Sequence, residues 1–320
     1  MTDVVGGAPA DPGVRRRRRD IDGVLLVDKP RGGSSNTILQ HVRYLLNASK
    51  AGHGGTLDPL ATGLLVVCFG EATKFSAQLL EGGKTYTGEI QLGTRTDTGD
   101  AEGAVIESAV VPPFPSEFDP LARRFTGEIT QQPPNYSALK HQGKPLYEYA
   151  RAGTPVSAKP RSITIHALSI VPIGHDRLGF EVTCSSGTYV RSLAEDLSVA
   201  LGTVGHLATL RRTASGGFRV EEAISPEALE RFSMTEREAR LLPPDALLRD
   251  VPAWDVDAAT TASIRQGRVV PAAPGLAAGR VRLYGPSRTF LGLGEVDDAG
   301  QVQPVRLLAT GGGQVGRKAG

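Results

Sequence analysis

Cysteine is nearly missing from this chain: Cys68 and Cys184 are the only two in 320 residues, each inside an apolar run. That argues against a disulfide framework and suits buried thiols in a reducing compartment, so a cytoplasmic location is expected. Histidine is also sparse. The six histidines include no H-x-x-x-H pair and the cysteines no C-x-x-C, so no metal site is expected. No window reaches the apolar length of a membrane span, and no membrane partner is expected. The arginine block near the amino terminus precedes only a short strand ending at Asp28-Lys29, which lacks signal-peptide character. Positive charge is in short supply too. The net charge of +2 lies wholly in residues 1–20, where Arg15 to Arg19 outnumber Asp3, Asp11 and Asp20; the rest carries 31 basic and 31 acidic residues. A basic face for nucleic acid would have to arise from arrangement, since composition does not announce one.

What is present divides the chain. Its length suits about two domains, and 40% hydrophobic residues is enough for real cores. Residues 1–20 lack periodicity and read as a disordered basic tail, either a solvated segment or a loose phosphate-binding arm. Residues 21–250 form the main domain. Residues 251–308 change character: six arginines, no lysine, and short apolar runs at Val281 to Tyr284, Phe290 to Leu293 and Val305 to Leu308, separated by Gly and Pro as in a small β-barrel. Residues 309–320 are Gly-rich and read as a disordered tail.

The chemistry gathers in residues 52–74. Gly52, Gly54 and Gly55 allow backbone conformations and close approach denied to other residues. Pro59 biases Asp58 toward an extended conformation. Leu64 to Phe69 is a continuous apolar run suited to a buried strand, Gly70 ends it, and Ala72 to Leu80 reads as a short helix. Asp58 is thus one acid on an apolar, glycine-rich loop, either a turn former or a reagent. Val24 to Val27 reads as a short strand. Ser34 or Ser35 caps a helix whose Ile38, Leu39, Val42, Leu45 and Leu46 share one face. Lys84 to Leu92 alternates, placing Tyr86 with the apolar set toward the interior. Three carboxylates between Asp97 and Glu102 lack the spacing of a calcium loop and read as a capped turn. Gln131 to Ala138 contains adjacent prolines and is irregular. Lys140, His141, Lys144 and Arg151, interleaved with Tyr136, Tyr147 and Tyr149, suit RNA or an ordinary surface loop. Phe180 to Cys184 is a strand, followed by a helix with Val190, Leu193, Ala194, Leu197 and Leu201 on one face, closed by Gly202. Arg191 in its first turn opposes the helix dipole, a cost of up to ~1 kcal/mol, so a carboxylate partner is expected.

The run from Gly52 to Gly63, GHGGTLDPLATG, resembles the nucleophile loop of the bacterial TruB family, the tRNA pseudouridine-55 synthases. Further blocks agree in order. Lys29-Pro30-Arg31-Gly32-Gly33-Ser34-Ser35 is similar to its lysine-proline block, Lys84-Thr85-Tyr86 to its basic-x-Tyr strand, and Gln132 to Ala138 to its insertion. Gly187-Thr188-Tyr189-Val190-Arg191 resembles its arginine motif and Leu207 to Thr213 its Leu-Arg-Arg block. The resemblance spans roughly residues 21–310. It implies an α+β pseudouridine-synthase fold, with a central mixed, mainly antiparallel sheet flanked by helices, an RNA-gripping insertion at about 103–150 and a PUA-like β-barrel at 251–308.

The resemblance also implies an activity and roles. Uridine 55 in the tRNA T loop would be flipped out and isomerised to pseudouridine, with no cofactor needed. Asp58 would be the nucleophile, Arg191 its partner and Tyr86 the residue stacked on the target base. His53 would lie against the RNA. Lys29, Lys140, Lys144, Arg211 and Arg212 are the candidate RNA contacts, with Lys29 also readable as structural and the two arginines as loop anchors. The expected partner is the tRNA T stem-loop, bound by a monomer with no obligate protein partner. Two other readings compete: a noncatalytic tRNA-binding or tRNA-folding protein on the same fold, and a hydrolase pairing His53 with Asp58. The hydrolase lacks a recognisable serine or cysteine elbow.

Overall fold

The computed structural model describes residues 17–309 apart from 138 and 155. The first strand, β1 (Gly23–Lys29), leads into α1 (Ser35–Leu45), where the Ser34 hydroxyl accepts from the Thr37 N–H as the cap. Next come β2 (Ala51–His53), β3 (Thr62–Phe69), a 3-10 turn at Gly70–Phe75, α2 (Ser76–Glu81) and β4 (Lys84–Leu92). A hairpin of β5 (Thr94–Thr96) and β6 (Val105–Ser108) precedes α3 (Asp119–Arg124) and β7 (Gly127–Gln131). The arm follows: β8 (Lys140–His141), β9 (Lys144–Pro145) and α4 (Leu146–Arg151). The long strands β10 (Arg161–Pro172) and β11 (Arg177–Cys184), then α5 (Val190–Ala200), β12 (Gly205–Ser215) and β13 (Phe218–Arg219), complete the central sheet.

That sheet runs in the order β1-β3-β12-β4-β11-β10-β7, with β2 on β3 and β13 on β12. Only the β3–β12 contact is parallel, so the sheet is mixed and mainly antiparallel, as expected. Its two ends are covered differently. One face of β4 and β11, with Tyr86, Ile90, Leu178 and Val182, packs under Leu193, Ala194 and Leu197 of α5. β1 and β3 are buried on both faces: Leu25, Val27, Leu65 and Val67 meet α1, while Val24, Leu26, Leu64 and Val66 meet Phe75, Leu79 and Phe218. Double burial explains why Leu64 to Phe69 is an unbroken apolar run instead of an alternating one.

After α6 (Pro226–Glu230) and α7 (Met234–Glu238), the carboxy-terminal unit holds β14 (Ala253–Asp255), α8 (Ala258–Arg265), β15 (Val270–Pro271), β16 (Gly279–Gly285), β17 (Thr289–Val296) and β18 (Gln301–Leu307). Five strands form a PUA-like sheet in the order β14-β16-β17-β18-β15, with its own core of Ile264, Val281, Leu283, Leu291 and Val302. Its other side joins the main domain. Tyr284, Phe290 and Leu293 belong to the same apolar cluster as Phe75 and Leu248. The Tyr284 hydroxyl donates to Asp245 Oδ2 at 2.6 Å, and Lys74 Nζ to the Leu307 carbonyl at 2.9 Å.

At the amino end, residues 1–16, including Arg15 and Arg16, lie outside the described residues, as do 310–320. Residues 17–20 of the expected 1–20 tail are among the described residues. Arg19 exchanges backbone hydrogen bonds with Asn47 and Ser49, and its side chain pairs with Glu238.

Candidate active site

The loop carrying Asp58 is fixed on both sides by side chains that use their polar atoms on its backbone. The Ser35 hydroxyl accepts from the Leu57 N–H at 2.7 Å and donates to the Leu57 carbonyl at 3.0 Å. Lys29, fully buried, donates from Nζ to the carbonyls of Ala61 at 2.6 Å, Pro30 at 3.0 Å and Pro59 at 3.3 Å. Arg212, 1% exposed, donates from Nε to the Leu64 carbonyl at 2.7 Å and reaches the Gly55 and Thr56 carbonyls at 3.3 and 3.5 Å. Gly63 has a φ of +97°, and a Cβ there would lie 2.3 Å from the Arg212 carbonyl oxygen, so β3 can pass β12 this closely only with glycine.

Arg191 closes the site from the first turn of α5. Its Nε lies 3.0 Å from Asp58 Oδ2 and 3.9 Å from Asp100 Oδ2. Its Nη1 donates to the Thr98 carbonyl and its Nη2 to the Tyr136 carbonyl, each at 2.8 Å. The guanidinium does not grip the carboxylate with two prongs. One N–H meets Asp58, and the two remaining corners of the guanidinium tie in the 97–102 turn and the segment before the arm. A planar fork suits this division because its donors point along fixed, separate directions. The Arg191 side chain is 6% exposed and that of Asp58 40%, so the carboxylate sits in an open cleft.

The Asp97–Glu102 segment is a capped turn. The Asp97 carboxylate accepts from the Ala104 N–H at 2.8 Å, and Asp100 Oδ1 from the Glu102 N–H at 3.0 Å. Its second function was not legible in the sequence: buried Asp100 sets a second negative charge beside Arg191. Among the described residues no cluster of His, Cys, Asp or Glu has metal-holding geometry, and no helix is long and apolar enough to cross a membrane.

The other expected site residues separate into groups. Tyr86 is 7% exposed on β4; burial pushes its phenol pKa up, while the positive charge of Arg212 opposes that rise. His53 is half-buried on β2, where burial first and Arg212 second lower its pKa from the ordinary 6.5. Lys29 and Arg212 do not present their charges to a phosphate. Both are buried with their donors on backbone carbonyls, which makes them anchors of the Asp58 loop. Burial lowers Lys29 to about 8 against the opposing charges of Glu102 and Asp58. Arg211 points the other way along β12 and holds Asp28 with two bonds, at 2.8 and 3.0 Å. It lines a groove of about 590 Å³ with Arg31, Thr87, Glu89 and Glu181 whose lining does not include Asp58. Lys140 and Lys144 are exposed on the β8–β9 hairpin.

Three family models match successive stretches of the chain. Residues 43–190 match the TruB family pseudouridylate synthase N-terminal domain, residues 191–251 the tRNA pseudouridylate synthase B C-terminal domain, and residues 252–308 the pseudouridine synthase II TruB C-terminal domain. The chain is 53% identical over 296 residues to tRNA pseudouridine synthase B of Aromatoleum aromaticum, covering 92% of this chain and 96% of that protein. It is 48% identical over 302 residues to the protein of that name from Nitrosospira multiformis, covering 91% and 96%. Among solved structures, the chain superposes on one from a Cbf5-Nop10-Gar1 complex with a TM-score of 0.66 and 27% identity, covering 86% of this chain and 78% of that one. With half its residues shared along nearly the whole length of curated relatives, this chain belongs to the TruB family of pseudouridylate synthases.

Proposed function

We propose that this enzyme isomerises uridine 55 in the T loop of tRNA to pseudouridine, with Asp58 as the nucleophile. The observation that carries the proposal is the 3.0 Å contact between Arg191 Nε and Asp58 Oδ2, in a chain about half identical to curated tRNA pseudouridine synthases. The reaction breaks the bond from uracil N1 to ribose C1′, turns the base, and joins C5 to C1′. A proton leaves C5 and N1 gains one, so no oxidant or group donor is consumed. The guanidinium holds Oδ2 at 3.0 Å, leaving Oδ1 for attack. The target base must leave the stacked T loop, at a cost of a few kcal/mol. Tyr86 and His53 would offset part of that by stacking. The chain is taken to act as a monomer without an obligate protein partner, on tRNA and in the cytoplasm.

Asp58→Asn tests the proposal. The amide keeps the shape of the carboxylate but is a very weak nucleophile, while the loop anchors at Ser35, Lys29 and Arg212 are untouched. Pseudouridine formation should vanish, with tRNA affinity kept within about tenfold, ~1.4 kcal/mol. Mass-shift detection of chemically tagged pseudouridine beside a filter-binding titration reads both. A variant that still forms pseudouridine would remove Asp58 from the chemistry, and an inactive wild-type protein that binds tRNA normally would favour a binding-only protein.

A further inference from the structure

Where the arm leaves the sheet it is fastened to α5 by a residue with no charge. Gln131 ends β7 and is 1% exposed. Its Oε1 accepts from the Tyr189 N–H at 2.7 Å and its Nε2 donates to the Tyr189 carbonyl at 3.0 Å. Only one orientation of the amide makes both bonds. Tyr189 is the N-cap of α5 and makes no side-chain cap bond of its own. The next residues continue the fastening. The Gln132 carbonyl accepts from the Ser192 hydroxyl at 2.9 Å, and the Tyr136 carbonyl from Arg191 Nη2 at 2.8 Å. Between them, Pro133 and Pro134 have no N–H, so the segment cannot continue the sheet ladder and is held by these bonds instead.

We propose that Gln131 is a positioning residue that locks the root of the arm to the amino terminus of α5 and thereby aims Arg191 at Asp58. An arm seated on RNA and a helix carrying the site's arginine then move as one piece. The inference rests on the reading of Asp58 given above. Gln131 touches neither reacting carboxylate nor base, so removing it changes geometry and no charge. Reactions that depend on a placed nucleophile lose rate steeply for small misplacements, about 10²-fold for 1 Å.

The test uses the full chain and a tRNA transcript. Gln131→Ala removes both bonds. Gln131→Met fills nearly the same volume with neither bond and no charge, and it serves where the alanine variant is unstable. Single-turnover rate at saturating tRNA should fall about tenfold or more in both Gln131→Ala and Gln131→Met, with tRNA affinity within about threefold. In an Arg191→Lys background the added loss should be under about twofold, because both substitutions act through one guanidinium. Asp58→Asn is measured beside them, and its remaining active would sink the reading of Asp58 itself. With Asp58→Asn inactive, a wild-type rate in both Gln131 variants overturns the role of Gln131 alone. So does a loss that multiplies fully with that of Arg191→Lys.

Discussion

The arm is built one way at its root and another at its tip. At the root, Gln131, Gln132 and Tyr136 are held by Tyr189, Ser192 and Arg191 through bonds of 2.7 to 3.0 Å, and the groups that hold them are largely buried. At the tip, Lys140, His141, Gln142, Gly143 and Lys144 are all exposed. Two-residue strands pair Lys140 with Pro145 and His141 with Lys144, and the His141 ring meets Tyr149 edge-on at 5.8 Å. Segments with few buried apolar contacts open at low cost. The contrast separates two tasks. Chemistry needs a carboxylate and a guanidinium that stay put, and the root supplies them with bonds to backbone from three segments. Under the function proposed above, gripping RNA would call for charge on a piece that can adjust, and the tip carries Lys140 and Lys144 with few restraints.

The strongest way to break the root is Arg191→Lys. Lysine keeps the charge but cannot serve Asp58, the Thr98 carbonyl and the Tyr136 carbonyl in their three directions at once. Losing two charge-assisted bonds of about 1.5 kcal/mol each should slow single-turnover chemistry by roughly 10²-fold. A modest fall in melting temperature should accompany it, since two carbonyls lose their donor. Turnover at the wild-type rate in a folded variant would show that the fork geometry is irrelevant to the reaction.

The tip responds differently. Lys140→Ala combined with Lys144→Ala should leave the rate on bound tRNA unchanged and weaken affinity about tenfold at low salt. The plot of log affinity against log salt should lose about two units of slope, one for each phosphate contact removed. A rate loss at saturating tRNA with an unchanged salt slope would move these lysines from grip to chemistry.

How far the sequence disclosed this division depends on the kind of signal. β1, β3, α1 and α5 follow from apolar runs and helical spacing, because burial of whole faces sets them. Asp58 was recognisable as a reagent only through resemblance, since by chemistry alone it read first as a turn former; Arg191 also showed through its place in the first turn of α5, where a cation calls for a partner. The buried cations stayed open between RNA contact and structural anchor, since their partners are carbonyls from distant segments: Ala61 for Lys29, and Gly55, Thr56 and Leu64 for Arg212. A signal existed in strand phase. Lys29 shares a face with the buried Leu25 and Val27, and Arg212 with the buried Leu210, whereas Arg211 falls on the opposite face. Alternation alone would have separated the two adjacent arginines. Asp100 was legible as a turn former, but its place beside Arg191 is tertiary and left no mark in spacing. The joint between domains was equally silent: Phe75 meets Phe290 at 5.6 Å across some two hundred residues of chain.

The smallest expected effect concerns His53, which lies at neither root nor tip. It is paired with Val67 at the end of β2, half-buried, with Nδ1 buried and lacking a protein partner. Burial and the Arg212 charge lower its pKa below the ordinary 6.5, so the ring is neutral at pH 7 and offers RNA a flat surface in place of a charge. His53→Phe should therefore bind tRNA nearly as wild type does, while His53→Ala should lose about 1 kcal/mol of stacking, roughly fivefold in affinity. The pH dependence has a defined sign. With the folded-state pKa depressed, the unfolded chain takes up the proton first as pH falls, so this residue's contribution to stability is complete above about 6.5 and declines as pH falls toward the folded value. His53→Phe should lack that decline. Titrations of tRNA at about pH 7.5 and pH 6 complete the test, since the slightly acidic range is where an ordinary histidine charges. If acidification tightens tRNA binding to wild type but not to His53→Phe, the imidazolium is meeting a phosphate and the stacking role is wrong.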